Sequence, residues 1–159
     1  MKVLITGADG FIGQNLRAHF RERSDITVLP LTRTSTEADW AAAVREADAV
    51  FHLAGVNRPQ DPADFATGNR DLTARLCELL RAAGRAVPLL YASSIQAERD
   101  NPYGRSKREA EQLLLAHASA TGAPLHIHRL PNVFGKWCRP NYNSAVATFC
   151  HNIARGLPI

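Results

Sequence analysis

Tyr103 and Lys107 stand four residues apart, a spacing that on a helix puts them one turn apart on one face. A phenol with its ordinary pKa near 10 shuttles protons poorly around neutrality. A lysine ammonium one turn away and the positive end of the helix would both favour the phenolate, suiting Tyr103 to general acid or base work. Ser93 and Ser94 follow an apolar run, Val87–Ala92, that reads as a buried strand. Ser94 is the hydroxyl expected to hydrogen-bond the same substrate oxygen, with Ser93 turned to the core. Together Ser94, Tyr103 and Lys107 could hold a carbonyl and move a proton to it. Many helices carry a Tyr and a Lys at this spacing by chance, so the reading depends on the elements that position them.

Those elements start with Val3–Gly13, Val-Leu-Ile-Thr-Gly-Ala-Asp-Gly-Phe-Ile-Gly. An aliphatic run ends at Thr6, Gly7, Gly10 and Gly13 recur at every third position, and helix-favouring residues follow from Gln14 to Arg23. In a strand-turn-helix that holds a dinucleotide, the first glycine makes the tight turn, the second admits the pyrophosphate and the third lets helix and strand pack closely. Thr6, Gly7, Gly10, Phe11, Ile12 and Gly13 are thus the expected cofactor-facing set, with the helix start turned to the phosphates.

Ile26–Leu31 reads as a second buried strand, and Arg33 follows it. An acidic residue at this place accepts from ribose hydroxyls, whereas an arginine pairs with a 2′-phosphate, so Arg33 favours NADP(H) over NAD(H). Glu37–Ala47 fits an amphipathic helix and Ala49–Ala54 a strand buried on both faces. The connection between the two strands is too short to hold another strand and two crossovers, so the usual outer third strand should be missing. Leu53, Ala54 and Gly55 should pass close to the cofactor, and Asn57 and Arg58 open the next loop.

A long helix from about Asn69 to Ala83 stops at Gly84, and Asp100-Asn101-Pro102 caps another, about Tyr103–Thr121. Leu125–Leu130 is the fifth strand, and the loop Pro131–Asn143 leads to a last helix ending near Gly156. Alternation of about five strands with helices predicts one α/β domain over residues 1–159, a Rossmann-type doubly wound parallel sheet. Its ligand should lie across the carboxyl ends of the strands.

With 159 residues and 45% hydrophobic content, the chain has room for one core and not two. The net charge of +4 and pI near 9.3 come from scattered basic residues, which speaks for solvated faces and against a nucleic-acid partner. No apolar run suits a signal peptide or a membrane span, and the expected location is cytoplasmic. Cys77, Cys138 and Cys150 lack disulfide-framework or zinc spacing. Cys77 reads as core filler, as do Trp40 and Trp137, the latter also a candidate for the cleft. The six histidines find no third ligand at metal spacing, so no metal is expected.

The Thr6-Gly7-x-x-Gly10-x-x-Gly13 start, His52-Leu53-Ala54-Gly55, Ser94, Tyr103-x-x-x-Lys107 and Asn132-Val-Phe-Gly135 resemble the extended short-chain dehydrogenase/reductase family of sugar-nucleotide enzymes, over essentially the whole chain. Ala54–Pro59, Ser93–Ala97, Asn101–Gly104 and Phe134–Ser144 are similar to the N-terminal reductase domain of the CapF and WbjC type in capsular polysaccharide biosynthesis. The resemblance implies NADPH-dependent reduction of the 4-keto group of a UDP-linked 2-acetamido-2,6-dideoxyhexose, on the route to UDP-N-acetyl-L-fucosamine. It also implies that Tyr103 supplies the proton and with Lys107 contacts the cofactor, that Lys107 holds the nicotinamide ribose and that Ser94 orients the carbonyl. Asn57, Arg58, Asn132, Lys136, Arg139, Asn141 and Asn143 are then candidates for the sugar nucleotide, although turn chemistry explains Asn141 and Asn143 equally well. Members continue beyond a Gly-x-Pro-Ile segment, which implies a longer parent with a following cupin domain and a homodimer built on the helices from Asn69 and Tyr103. Two alternatives stand beside this reading: an epimerase or dehydratase that retains NAD, and a catalytically silent dinucleotide-binding module.

Overall fold

The computed structural model describes the whole chain, Met1–Ile159. Strands β1 (Lys2–Thr6), β2 (Thr27–Leu31), β3 (Ala49–His52), β4 (Leu89–Ser94) and β5 (Leu125–Leu130) alternate with helices α1 (Phe11–Phe20), α2 (Glu37–Glu46), α3 (Leu72–Ala82), α4 (Pro102–Thr121) and α5 (Ala145–Ile153). Every neighbouring pair is parallel, in the order β2-β1-β3-β4-β5. The expected five-strand parallel sheet is therefore present, and no strand lies outside β2. Leu31, Thr6, His52, Tyr91 and Ile127 form one row across the sheet, so the strands deliver their carboxyl ends to a common edge.

Alternation along each strand divides the core. Leu4, Val50, Leu89 and Tyr91 face the larger cluster, to which α2, α3 and α4 add Trp40, Val44, Leu76, Leu80, Ala110 and Leu114. Val3 and Ile5 face the other way, against Leu16 and Phe20 of α1. Each fully buried Leu or Ile contributes about 1.5–3 kcal/mol, so the side holding α2, α3 and α4 dominates stability. Thr36 and Asp39 close a capping box at the start of α2. Asn101 caps α4 with Pro102 behind it, and Gly122 ends that helix in the left-handed region at φ 74°.

Several boundaries differ from the sequence expectation. The second strand is half-exposed at the sheet edge, where Pro30, lacking an N–H, is tolerated. The third stops at His52, freeing Leu53–Gly55 as backbone above the sheet. The fourth runs two residues later than expected, because pairing with β5 continues to Ser94 opposite Leu130; both serines thus lie within the strand. α1 starts at Phe11, immediately after Gly10. The helix expected from Asn69 begins as a π-helical turn, Ala66–Asp71, and only then becomes α3. A 3₁₀ turn, Ile95–Glu98, links β4 towards α4. Trp40 is core, but Trp137 is 43% exposed and so is not a packing residue. No helix is long and apolar enough to cross a membrane.

Candidate functional site

The glycine turn fits a dinucleotide on the evidence of its own geometry. Gly7 has φ +68°, and a Cβ there would lie 2.8 Å from the Ala54 backbone, so the turn nests against the loop that follows β3. Gly10 N donates to Gly7 O at 2.9 Å. Gly10 is also the N-cap of α1 and supplies no side-chain cap, which leaves the first-turn amides of Phe11, Ile12 and Gly13 for an anion. Gly13 is buried, and a Cβ on it would collide with Gly7 O and the backbone of Ala8. Arg33 stands in an exposed turn after β2 and forms none of the ion pairs of the fold.

A line of polar side chains runs beneath the turn. Ala54 N–H donates to Thr6 Oγ1 at 3.1 Å, and Thr6 Oγ1 meets His52 Nδ1 at 2.7 Å. On the far side, His52 Nε2 meets Thr73 Oγ1 at 2.9 Å, and Thr73 Oγ1 donates to Asn69 O at 2.7 Å. Because the Thr73 proton is committed to that carbonyl, Nε2 must be the protonated ring nitrogen, and Nδ1 accepts from Thr6. Asn69 Oδ1 accepts from Val56 N at 2.9 Å, while its Nδ2 donates to Val56 O and to Ser106 Oγ, both at 2.9 Å. Asn69 therefore pins the loop after Gly55 to α4, a role sequence reasoning missed. The only local signal was a buried-type polar residue at a helix start, which does not reveal its distant partners.

Ser94, Tyr103 and Lys107 converge at the carboxyl end of β4. Ser94 is buried and its Oγ accepts from Gln96 N at 3.2 Å. Ser94 and Tyr103 approach without an aligned hydrogen bond between them; burial pushes the phenol pKa up, and the Ser94 hydroxyl opposes that shift. Tyr103 also leans on Phe65, ring centroids 5.7 Å apart. The expectation that Lys107 lowers the Tyr103 pKa is thus corrected. The ammonium turns inward instead, donating to Ala92 O at 3.0 Å and Tyr91 Oη at 3.2 Å. Burial brings the Lys107 pKa down to about 8, opposed by the carboxylate of Glu111. Gly55 is the neighbour on the open side: a Cβ on it would sit 2.7 Å from Asn69 Oδ1 and 3.2 Å from Lys107 Nζ. Ser93 faces α4, donating to Glu111 Oε1 at 2.5 Å.

The remaining candidates lie on two loops that meet. Tyr142 Oη donates to Asn57 Oδ1 at 2.7 Å, and the Arg58 guanidinium lies over the Tyr142 ring, 5.8 Å from its centroid. Tyr142 had no distinguishing sequence signal. Asn132 donates to Asn143 O at 2.8 Å, and Asn141, at φ +55°, donates its N–H to Thr148 Oγ1 at 2.8 Å. Lys136 rests its ammonium on the Trp137 ring at 4.6 Å while its carbonyl accepts from Asn15 of α1 at 2.8 Å. Arg139 is exposed. No group of three or more His, Cys, Asp or Glu side chains is gathered in a way that could hold a metal ion.

A parallel sheet with a glycine turn after β1 and a Ser-Tyr-Lys group at β4 defines a dinucleotide-binding α/β domain. The chain belongs to the NAD dependent epimerase/dehydratase family, whose sequence pattern matches residues 3–159. It is 60% identical over 159 residues to the UDP-2-acetamido-2,6-beta-L-arabino-hexul-4-ose reductase of Pseudomonas aeruginosa strain PA103, covering 100% of this chain and 43% of that protein. Among solved structures, the capsular polysaccharide assembling protein CapF from Staphylococcus aureus matches with TM-score 0.88 and 44% identity, over 100% of this chain and 43% of that one. RMD from Pseudomonas aeruginosa, complexed with NADPH, matches with TM-score 0.82 and 25% identity, over 100% of this chain and 64% of that one. The chain therefore spans less than half the length of the first two.

Proposed function

We propose that this chain is the cofactor-binding and proton-donating part of an NADPH-dependent reductase that acts on the 4-keto group of a UDP-linked 2-acetamido-2,6-dideoxyhexose. The observation that carries the reading is the meeting of Ser94, the half-buried phenol of Tyr103 and the buried ammonium of Lys107 beside Gly55. The substrate class comes from the similarity to the Pseudomonas reductase. NADPH rather than NADH is favoured by the guanidinium of Arg33, which forms no ion pair in the fold and suits a 2′-phosphate.

A reduced nicotinamide, when bound, would supply hydride for the carbonyl carbon. Tyr103, protonated at neutral pH as any phenol is, donates its phenolic proton to the oxygen as negative charge develops there. The step needs an acid; burial makes this phenol a weaker one than a free phenol, and the Ser94 hydroxyl opposes that effect. Ser94 donates a hydrogen bond to the same oxygen and fixes its direction. Lys107 spends two of its three N–H donors on Ala92 O and Tyr91 Oη, leaving one for a ribose hydroxyl. The backbone amides at the α1 start, without side-chain caps, hold the pyrophosphate. Asn57, Arg58, Asn132, Lys136, Arg139, Asn141 and Asn143 take the sugar nucleotide where the two loops meet.

Fluorescence titration of the chain with NADPH beside NADH tests the first half of this reading; tighter binding of NADPH is expected, and Arg33→Ala should abolish the preference. Turnover of the UDP-keto sugar in the longer parent tests the second. There Tyr103→Phe should lower kcat by about 10²–10⁴-fold while changing the NADPH dissociation constant far less. Cofactor retained without net NADPH consumption would instead mark an epimerase.

A further inference from the structure

Glu111 is a carboxylate 4% exposed, in the middle of α4 and one helical turn beyond Lys107. Acidic side chains are almost never buried to this degree unless paired. Its partners come from two strands. Ser93 of β4 donates to Oε1 at 2.5 Å, and Arg129 of β5 donates to Oε1 from Nε at 3.0 Å and to Oε2 from Nη2 at 2.6 Å. Glu98, in the 3₁₀ turn after β4, accepts from Nη1 of the same arginine at 2.9 Å. The carboxylate thus grips the residue directly before Ser94, fixes the edge strand and stands one helical turn from Lys107 without pairing with it directly.

We propose that Glu111 is a positioning residue for the reductase site: its ionised carboxylate keeps the buried Lys107 ammonium charged and holds the Ser93–Ser94 end of β4 in place. This rests on the reading of Ser94, Tyr103 and Lys107 given above. The balance of charge around the ammonium supports it. Facing Lys107 are Tyr91 of β4 and His52 of β3, both neutral, Tyr103 one turn back on α4, also neutral, the amide of Asn69, and Glu111. Glu111 is therefore the one anion in that set. Burial drives the Lys107 pKa down, and the Glu111 charge is what opposes it. Arg129 favours the ionised form of Glu111, as does the Ser93 hydrogen bond, against the opposing effect of burial.

The sequence contains three lysines, Lys2, Lys107 and Lys136, so NMR titration of the chain labelled at lysine Cε follows Lys107 directly and needs neither cofactor nor turnover. In the unsubstituted chain Lys107 should titrate near pH 8. Glu111→Gln should bring that midpoint down by about two pH units, the effect of a charge one helical turn away at an effective dielectric near 20, and Glu111→Asp should restore it. Arg129→Gln, which removes a cation and leaves the carboxylate, should move the midpoint up. In the parent enzyme the alkaline limb of the kcat profile should follow the same order. A midpoint that Glu111→Gln leaves in place, or that Glu111→Asp lowers equally, overturns the proposal, since a purely structural clamp would behave so. A Glu111→Gln chain too unstable to fold would show Lys107 at the ordinary lysine position, and the upward shift in Arg129→Gln then decides. NADPH titration of the same samples reports separately on the cofactor reading: binding that is absent while Lys107 shifts as expected overturns that reading and leaves the Glu111–Lys107 coupling standing.

Discussion

His52 makes the residue scale quantitative. It is stacked on Tyr91, ring centroids 5.2 Å apart, with both nitrogens bonded to threonine hydroxyls, and burial, reinforced by the Lys107 charge, lowers its pKa to about 3 from the ordinary 6.5. The folded form refuses a proton that the unfolded chain accepts below pH 6.5. Stability is accordingly unaffected by this group above that pH and is lost as pH falls from 6.5 towards 3, by about 1.4 kcal/mol per pH unit. Glu111, whose pKa is lowered, adds a loss of the same sign at more acid pH. His52→Gln retains a donor and an acceptor but does not titrate. Urea unfolding between pH 6 and 4.5 should show a flatter decline in this variant by about one proton's worth; an unchanged slope would mean that the acid sensitivity arises elsewhere.

At the scale of elements, the glycine turn separates two requirements that look alike in sequence. A Cβ at Gly13 meets the Gly7 and Ala8 backbone, whereas one at Gly10 has only Gly7 O at 3.1 Å as a close neighbour. Gly13→Ala should therefore cost about 1–3 kcal/mol through overpacking, seen as a lower Tm. Gly10→Ala should keep its Tm and lose NADPH affinity, because its methyl occupies the approach to the α1 amides. The turn was legible because its signal is local, as were the Asn101-Pro102 start of α4 and the missing outer strand, which followed from a chain length. What escaped depended on distant packing. The π-helical turn places Asn69 against Val56 and Ser106, and nothing near Asn69 in sequence announces either partner. The Tyr103–Lys107 spacing identified a shared helix face, yet could not show that the ammonium turns towards β4, or that Phe65 helps to bury the phenol. Trp137, read as packing, sits at φ +67° on a loop whose course is set by long-range contacts such as that between Asn15 and Lys136.

For the molecule as a whole, cohesion is uneven. The cluster under α2, α3 and α4 holds 15 buried residues, whereas α5 contains none, and Val146, Phe149 and Ile153 on it are exposed. Native-state hydrogen exchange should show α5 opening at a small fraction of the global free energy, with β1 and β4 protected to the global limit; equal protection of α5 would contradict this account of the core. The strand order has a further consequence. Since β3 separates β1 from β4, the glycine turn and the Ser94–Tyr103 pair are set two strand spacings apart, about 10 Å. On the proposed reading of the site the sheet works as a ruler: a small phosphate seated on the turn would end short of Tyr103, and only a ligand with a second nucleoside-sized half would reach it. Selection by length is thus written into the order of the strands before any side chain reads the ligand's chemistry.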